Sequence, residues 1–239
     1  MANWRAIIQR HFPGALPQDQ FLTRSSLALE RLGFHREPTL AIANLCRDEL
    51  VTPFLTGIQA AWGQAFLSSS LAGMLFMGRT GLLAAQHHAP TTKDGHWIVF
   101  FVLPHIGVGP RGEIGVCRRP GIREPSAACG ALKAFRQEMA SGRVRLELDR
   151  LDLEQSLLKQ RLFRRIPYGQ VPDLVALTKI AQEGLLYDVE ELLRATEGDA
   201  ARHYAVLNGI QVHAPDGADM IWPACLYTVV RGKRRTLRV

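Results

Sequence analysis

The run CRDE, residues 46–49, places a thiol, a guanidinium and two carboxylates at four consecutive positions, directly after the apolar run TLAIANL. A surface turn would gain nothing from the thiol, and a hydrophobic core would exclude the three charges. A functional site would use all four residue types. We therefore treat Cys46, Arg47 and Asp48 as candidate site residues, and Glu49 as a helix cap or a supporting partner.

Two further residues with metal-binding side chains occupy comparable positions. His105 follows the strongest predicted strand, HWIVFFVL, and Cys129 lies in SAACGAL, in the first turn of a predicted helix. The carboxyl ends of parallel strands and the N-termini of the following helices meet at one edge of a sheet. A helix N-terminus also favours a thiolate, so we expect a lowered pKa at Cys129.

Two thiolates and one imidazole form a three-ligand zinc set with a fourth position left open, which is typical of catalytic zinc. The predicted set is Cys46, His105 and Cys129. The alternative for each residue alone is ordinary: a buried core cysteine, or a histidine that only makes a hydrogen bond. Cys117 and Cys225 are interpreted as non-ligands, although Cys117 is close enough in sequence to compete with Cys129.

The elements that must position these residues follow from hydrophobic periodicity. Residues 40–63 are predicted as strand, charged elbow and helix, with Thr52 as N-cap and Pro53 at the first helical position. The segment AGMLFMGRTGLLAAQHHAP repeats this design, as an apolar strand, the turn GRTG and a helix that ends before Pro90. The glycine-rich residues 107–125 predict a hairpin or long loop, and a helix follows with Ser126 as its N-cap.

The remaining segments complete an α/β domain. Residues 1–36 predict a helical arm, the segment from residue 145 is expected to start as a strand and turn helical, and DLVALTKIAQEGLLYDVEELLRATEG predicts an amphipathic helix. The C-terminal part alternates around PDG and predicts a β-hairpin. Unbroken apolar strands indicate burial on both faces. We predict one domain, residues 1–239, with a mainly parallel central sheet flanked by helices.

The motifs CRDEL, GRTG, PHIGVGPRGEIG and SAACGAL, in this order, resemble the limiting-CO2-inducible B/C-like proteins, a theta class related to β-carbonic anhydrases. The resemblance covers about residues 38–136 through these motifs and extends more loosely to the C-terminus. It implies a β-carbonic-anhydrase-like fold, a homodimer, and zinc bound by Cys46, His105 and Cys129. The implied function is reversible hydration of CO2 to bicarbonate by zinc-bound hydroxide. The alternative is a catalytically silent zinc protein that binds CO2 or bicarbonate, or serves a carbon-concentrating partner.

One departure from the β-carbonic anhydrase pattern concerns the charge partner of Asp48. That pattern is Cys-x-Asp-x-Arg, and here Leu50 replaces the arginine. Asp48 is expected either to orient the zinc-bound hydroxide or to turn inward and close the site, and an arginine would hold it ionised and turned outward. We predict Arg47 as this arginine, with Arg79 and Arg119 as alternatives.

Substrate binding and proton transfer are assigned to the segment around GRTG. The backbone of Gly78, Arg79 and Thr80 could bind a bicarbonate oxygen, or form only an ordinary turn. His87 and His88 follow on the next helix, and His88 in particular is suited to relay protons at neutral pH. Both histidines can equally be surface residues.

The formal net charge of +7 raises the question of nucleic acid, and much of the excess lies in residues 159–167 and in the tail RGKRRTLRV, residues 231–239. Neither segment shows interleaved aromatic residues, so a solvated face or an oligomer contact is favoured over nucleic-acid binding. No apolar stretch is long enough to span a membrane. The N-terminus lacks a secretory core, so a cytoplasmic location is expected, with organelle import left open.

Overall fold

The computed structural model describes residues 3–119, 121–196 and 202–239, and its centre is an eight-stranded sheet with a separate two-stranded sheet beside it. The helices of the described residues are α1 Trp4–His11, α2 Gln18–Glu30, α3 Thr52–Trp62, α4 Gly78–His88, α5 Gly130–Ala140, α6 Leu153–Phe163 and α7 Leu174–Arg194. The strands are β1 Leu16–Pro17, β2 Thr39–Leu45, β3 Ala65–Leu67, β4 His96–Leu103, β5 His105–Gly107, β6 Val116–Cys117, β7 Ser126–Ala127, β8 Arg202–His213, β9 Met220–Val230 and β10 Lys233–Thr236.

The central sheet has a parallel half and an antiparallel half. The order β1-β9-β8-β4-β2-β3 forms its path, with β10 paired to β9 and β5 paired to β8. Strands β2, β3, β4, β5 and β8 run parallel, whereas β9 is antiparallel to β8, β1 and β10. Every residue of β2 is buried, because helices cover both faces. The predicted α/β class with a mainly parallel sheet is confirmed.

The register of the parallel strands brings the candidate site residues to one edge. Leu45 at the end of β2 lies opposite Leu103 at the end of β4. After Pro104 the chain continues as β5, where His105 pairs with Gln211 of β8. His105 therefore lies just beyond the end of β4, as predicted, and is the first residue of the short strand β5.

Two predictions about local structure are wrong. The run AGMLFMG forms no strand: residues 71–73 are a 3-10 turn in which Ala72 and Gly73 have positive φ, and β3 occupies the position beside β2. The sequence GRTG is the first turn of α4.

Two helix N-caps and one predicted strand also differ from expectation. Ser126 does not cap α5 but pairs with Cys117 in the two-stranded sheet, and Cys129 is the N-cap. Thr52 is the first residue of α3, and Val51 precedes it as N-cap. The expected strand from residue 145 is irregular, and α6 begins only at Leu153.

The terminal segments pack onto the body of the domain. The arm consists of α1 and α2, with β1 between them on the edge of β9, and Phe12 of the arm lies edge-on to Trp222 at 6.0 Å between ring centroids. The predicted hairpin is formed by β8 and β9, with PDG in the turn. In the part of the chain that the structure describes, no helix combines the length and apolarity that a membrane span requires.

Candidate metal centre

Three predicted ligands meet in the interior. Cys46 directly follows β2, His105 opens β5 and Cys129 caps α5. One candidate ligand atom from each residue lies within 4.8 Å of the other two, and all three side chains are buried. The Sγ atoms of Cys46 and Cys129 lie 3.9 Å apart, although the two residues are separated by 83 positions in the sequence. We refer to these three residues as the ligand cluster.

The cluster has the dimensions and the donor atoms of a zinc site. Two thiolates bound to a tetrahedral zinc ion at the usual bond length are separated by about 3.8 Å, close to the distance between these sulfurs. His105 Nε2 is buried and has no hydrogen-bond partner among the described residues. A buried ring nitrogen without a partner is unfavourable, and a metal ion would satisfy it. Two sulfurs and one imidazole nitrogen are ligands that suit zinc.

The two thiols differ in acidity. The pKa of Cys46 is lowered to about 4, first by a hydrogen bond from the Cys129 thiol and then by His105, against the opposing effect of burial. The pKa of Cys129 is raised well above its ordinary value, first by the same hydrogen bond and then by burial. The backbone N–H groups of Leu132 and Ala131 in α5 lower the Cys129 pKa, as predicted, but are outweighed. The lowered pKa therefore belongs to Cys46 and not to Cys129.

A buried chain of hydrogen bonds supports the histidine of the cluster. His105 Nδ1 lies 2.9 Å from Nε2 of His213, the last residue of β8. His213 Nδ1 in turn lies 2.7 Å from Asp219 Oδ2, and the other carboxylate oxygen accepts a hydrogen bond from the backbone N–H of Ala214 at 3.2 Å. Because the Asp219 carboxylate accepts a hydrogen bond from Nδ1–H of His213, His213 Nε2 is an acceptor for Nδ1–H of His105. The lone pair on His105 Nε2 is then available to a metal ion.

His213 and Asp219 were missed in the sequence. The usable signal was positional: His213 ends a strand, as Cys46 follows one, and the ends of neighbouring parallel strands share an edge.

Asp48 borders the ligand cluster, and its partner is Arg119. Both carboxylate oxygens accept hydrogen bonds from Arg119, at 2.9 and 2.7 Å, and Asp48 Oδ2 lies 3.9 Å from His105 Nε2. Arg119 also binds Glu49 and the hydroxyl of Ser126. The loop that carries β6 and β7 thus brings a largely buried guanidinium across the end of β2.

Arg47 does not pair with Asp48, which corrects the prediction. Its exposed side chain binds Glu154 of α6 and the carbonyl of Ser69. The alternative considered for this role, Arg119, is the one that the structure shows. Asp48 also caps a short 3-10 helix, Glu49–Val51, by accepting a hydrogen bond from the backbone N–H of Leu50 at 3.1 Å, a capping role predicted for Glu49.

The residues assigned to substrate binding and proton transfer all lie in α4. Gly78, Arg79 and Thr80 form the exposed first turn of α4. His88, at the other end of α4, lies with its ring centroid 5.7 Å from that of Phe66, in the wall of a cavity that includes Thr39. Thr39 begins β2, whereas Cys46 follows its end, so the structure does not bring His88 to the ligand cluster. The roles given to these four residues stay predictions.

A cavity of about 600 Å³ lies beside the site. Its wall includes Glu49, Cys117 and His213, each of which contacts Arg119 or His105. Apolar side chains form much of the remaining wall, and they include Leu50, Pro53, Val108, Pro110 and Ala214.

Comparison with known proteins gives one family. The family model described as limiting CO2-inducible proteins B/C beta carbonic anhydrases matches residues 15–230. The crystal structure of limiting CO2-inducible protein LCIB is 32% identical, with 96% of each chain covered and a TM-score of 0.80. PtLCIB4, described as a homolog of LCIB, is 25% identical over 98% of this chain and 100% of its own, with a TM-score of 0.84. No curated protein sequence matches the chain.

Proposed function

Because the chain belongs to the family of limiting CO2-inducible proteins B/C beta carbonic anhydrases, we propose that it is a zinc-dependent carbonic anhydrase that interconverts CO2 and bicarbonate. The observation that carries the proposal is the ligand cluster, with two sulfurs 3.9 Å apart and a buried histidine nitrogen that lacks a partner in the described structure. Cys46, His105 and Cys129 would hold the ion. Bound zinc lowers the pKa of water to near 7 and so supplies a nucleophile at neutral pH.

The role of Asp48 follows from its distance to the cluster. Its Oδ2 atom lies 3.9 Å from His105 Nε2 and can accept a hydrogen bond from a water molecule or from bicarbonate placed beside the cluster. Arg119 engages both carboxylate oxygens and so restrains Asp48 from turning inward to act as a further ligand.

The cavity beside the site offers a path for the gas. CO2 carries no net charge, and the apolar walls formed by Leu50, Val108 and Pro110 exclude ordered water better than polar walls would. His213 lies in the same wall and positions His105 through the hydrogen bond described above. In this proposal the cavity supplies the substrate while Asp48 and the ligand cluster carry out the chemistry.

Further roles rest on the family resemblance and on position in the chain. Arg47 follows Cys46 directly, and we propose that its positive charge attracts bicarbonate. Gly78, Arg79 and Thr80 remain proposed contacts for bicarbonate, and His88 a proposed proton relay. A homodimer and a cytoplasmic location are proposed on the same basis.

The test combines a metal measurement with an activity measurement. Purified protein should contain one zinc per chain and accelerate the exchange of isotopic oxygen between CO2 and water. Cys46→Ala should lose both properties. Cys225→Ala is the matched control, because Cys225 lies in β9 outside the ligand cluster, and it should retain both.

Zinc-loaded protein that never accelerates CO2 hydration above buffer, at several pH values, would refute the enzymatic proposal and favour a silent binding protein. A full-length protein that takes up no zinc would refute both.

A further inference from the structure

A second cavity, of about 730 Å³, lies at the opposite end of the sheet from the ligand cluster. Trp97 in its wall is near the start of β4, about 20 Å along the strand from the edge that carries the cluster. We call it the basic cavity, because its wall contains one carboxylate, Asp94, and five cationic side chains: Arg31, Lys93, Arg231, Lys233 and Arg235.

The basic tail builds this wall in a specific way. Arg231 and Gly232 both have positive φ, at 50° and 73°, and form a two-residue turn that folds β10 back on β9. Alternation along β10 then places Lys233 and Arg235 on the face that lines the cavity. Arg234 points to the other face, where it binds Glu190 at 2.9 Å. Strand β10 therefore has two basic faces. Arg234 on one face forms an ion pair with Glu190, whereas Lys233 and Arg235 on the other face line the cavity.

The charges in the cavity are poorly balanced. Arg231 lies 3.7 Å from Asp94. In the ranges that the structure describes, no ion pair with a carboxylate involves Arg31, Lys93, Lys233 or Arg235, which are the other cationic residues of the wall. Like charges gathered around one concave surface repel each other and focus a positive potential there. An anion bound in the cavity would relieve this repulsion.

A buried hydroxyl adds an independent indication of a ligand. Thr228 is fully buried and lines the basic cavity, and its Oγ1 atom has no hydrogen-bond partner among the described residues. Its neighbour across the β9–β10 pair is Arg235, so the hydroxyl and that guanidinium belong to the same face. Buried hydroxyls are almost always satisfied, and a bound oxyanion would accept this donor.

We propose that the basic cavity binds a small anion that carries two or more phosphate groups. Its volume lies in the range of small-molecule sites, and guanidinium and ammonium groups are the side chains that bind phosphate. The cations surround one cavity and do not form a stripe, which favours a compact ligand over an extended nucleic acid. The proposal is separate from carbonic anhydrase activity and does not depend on zinc.

The experiment measures binding of inorganic tripolyphosphate and of ATP to the full-length chain by titration calorimetry at physiological ionic strength. We expect saturable binding at one site. In Lys233→Gln/Arg235→Gln the affinity should fall by about tenfold for each charge removed. The control is Arg238→Gln, which removes one positive charge from an exposed tail residue outside the cavity wall and should leave the affinity unchanged, against the tenfold loss expected for each charge removed inside the cavity.

The comparison of tripolyphosphate with ATP distinguishes binding of the phosphate groups alone from an additional contact to the nucleoside. Equal affinities indicate that the phosphates alone are bound, whereas tighter binding of ATP indicates a contact to the nucleoside, and both support the proposal. The absence of saturable binding would overturn it. So would an equal loss in Arg238→Gln, which indicates diffuse charge, or a single-stranded oligonucleotide that binds more tightly than ATP, which indicates a nucleic-acid surface.

Discussion

Replacing His213 with phenylalanine should weaken zinc binding about 10- to 100-fold, because His213 orients the histidine of the ligand cluster. His105 Nδ1 lies 2.9 Å from His213 Nε2, and both rings are buried. Phenylalanine fills a similar volume but offers no polar atom to His105. The ring of His105 would then lose the interaction that fixes its tautomer and its rotation toward the two cysteines.

The expected loss corresponds to about 1.4 to 2.8 kcal/mol of binding free energy. Most of this loss comes from His105, whose side chain has no solvent access and would be left without a hydrogen-bond partner at Nδ1. Asp219 contributes less, because its side chain is 13% exposed and still accepts a hydrogen bond from the backbone N–H of Ala214. Asp219→Asn should therefore weaken zinc binding less than His213→Phe, because asparagine can still accept a hydrogen bond from His213.

The assay is competition for zinc between the full-length protein and a chelator, with thermal unfolding of the metal-free protein measured alongside. His203→Phe is the matched control. His203 lies in the same strand and is 4% exposed, against 3% for His213, but it packs on Trp97 and accepts a hydrogen bond from the backbone of Arg231. We expect His203→Phe to lower the unfolding temperature and leave the zinc affinity unchanged.

Two results would refute this reasoning. An unchanged zinc affinity in His213→Phe would show that His213 does not position the ligand. An equal loss of affinity in the His203 variant would show that any damage to β8 weakens the site, so that the effect is one of stability.

Three further predictions concern the charged groups around the cluster. Arg119→Gln should retain zinc but lose CO2 hydration. It should also lower the free energy of unfolding by about 3 kcal/mol, because it leaves the largely buried Asp48 without its partner. Retained activity in a stopped-flow assay would contradict this prediction. Arg47→Gln should lower activity with at most about 1 kcal/mol of lost stability, since its ion pair is exposed, and an unchanged kcat/KM for bicarbonate dehydration would argue against the proposed role. At neutral pH zinc binding should release about one proton, because Cys46, with a pKa of about 4, is already ionised whereas Cys129 holds its proton. Zinc affinity should therefore fall as the pH falls below neutrality, and more steeply below about 4, where Cys46 also becomes protonated. Calorimetry in buffers of different ionisation enthalpy counts the protons, and a release of two at neutral pH would disprove the assignment.

The sequence alone was sufficient to predict the elements whose burial pattern is local. The unbroken apolar runs of β2 and β4 indicated strands buried on both faces, and α7 and the β8–β9 hairpin showed clear periodicity. Two candidate ligands, Cys46 and His105, followed from the same pattern, because side chains that follow parallel strands meet at one edge, and Cys129 was predicted at the same edge from its place at a helix N-terminus. Their proximity was therefore predictable without knowledge of any contact.

The partners of these residues depended on the tertiary structure. His213 is separated from His105 by 108 positions, and Arg119 is separated from Asp48 by 71. Only the strand register and the path of a loop decide which histidine lies beside His105 and which arginine lies beside Asp48. The run AGMLFMG was misread for a related reason, since β3 occupies the place beside β2 that a strand there would need. Hydrophobic periodicity records whether a side chain is buried, and it carries no information about which distant group is buried beside it.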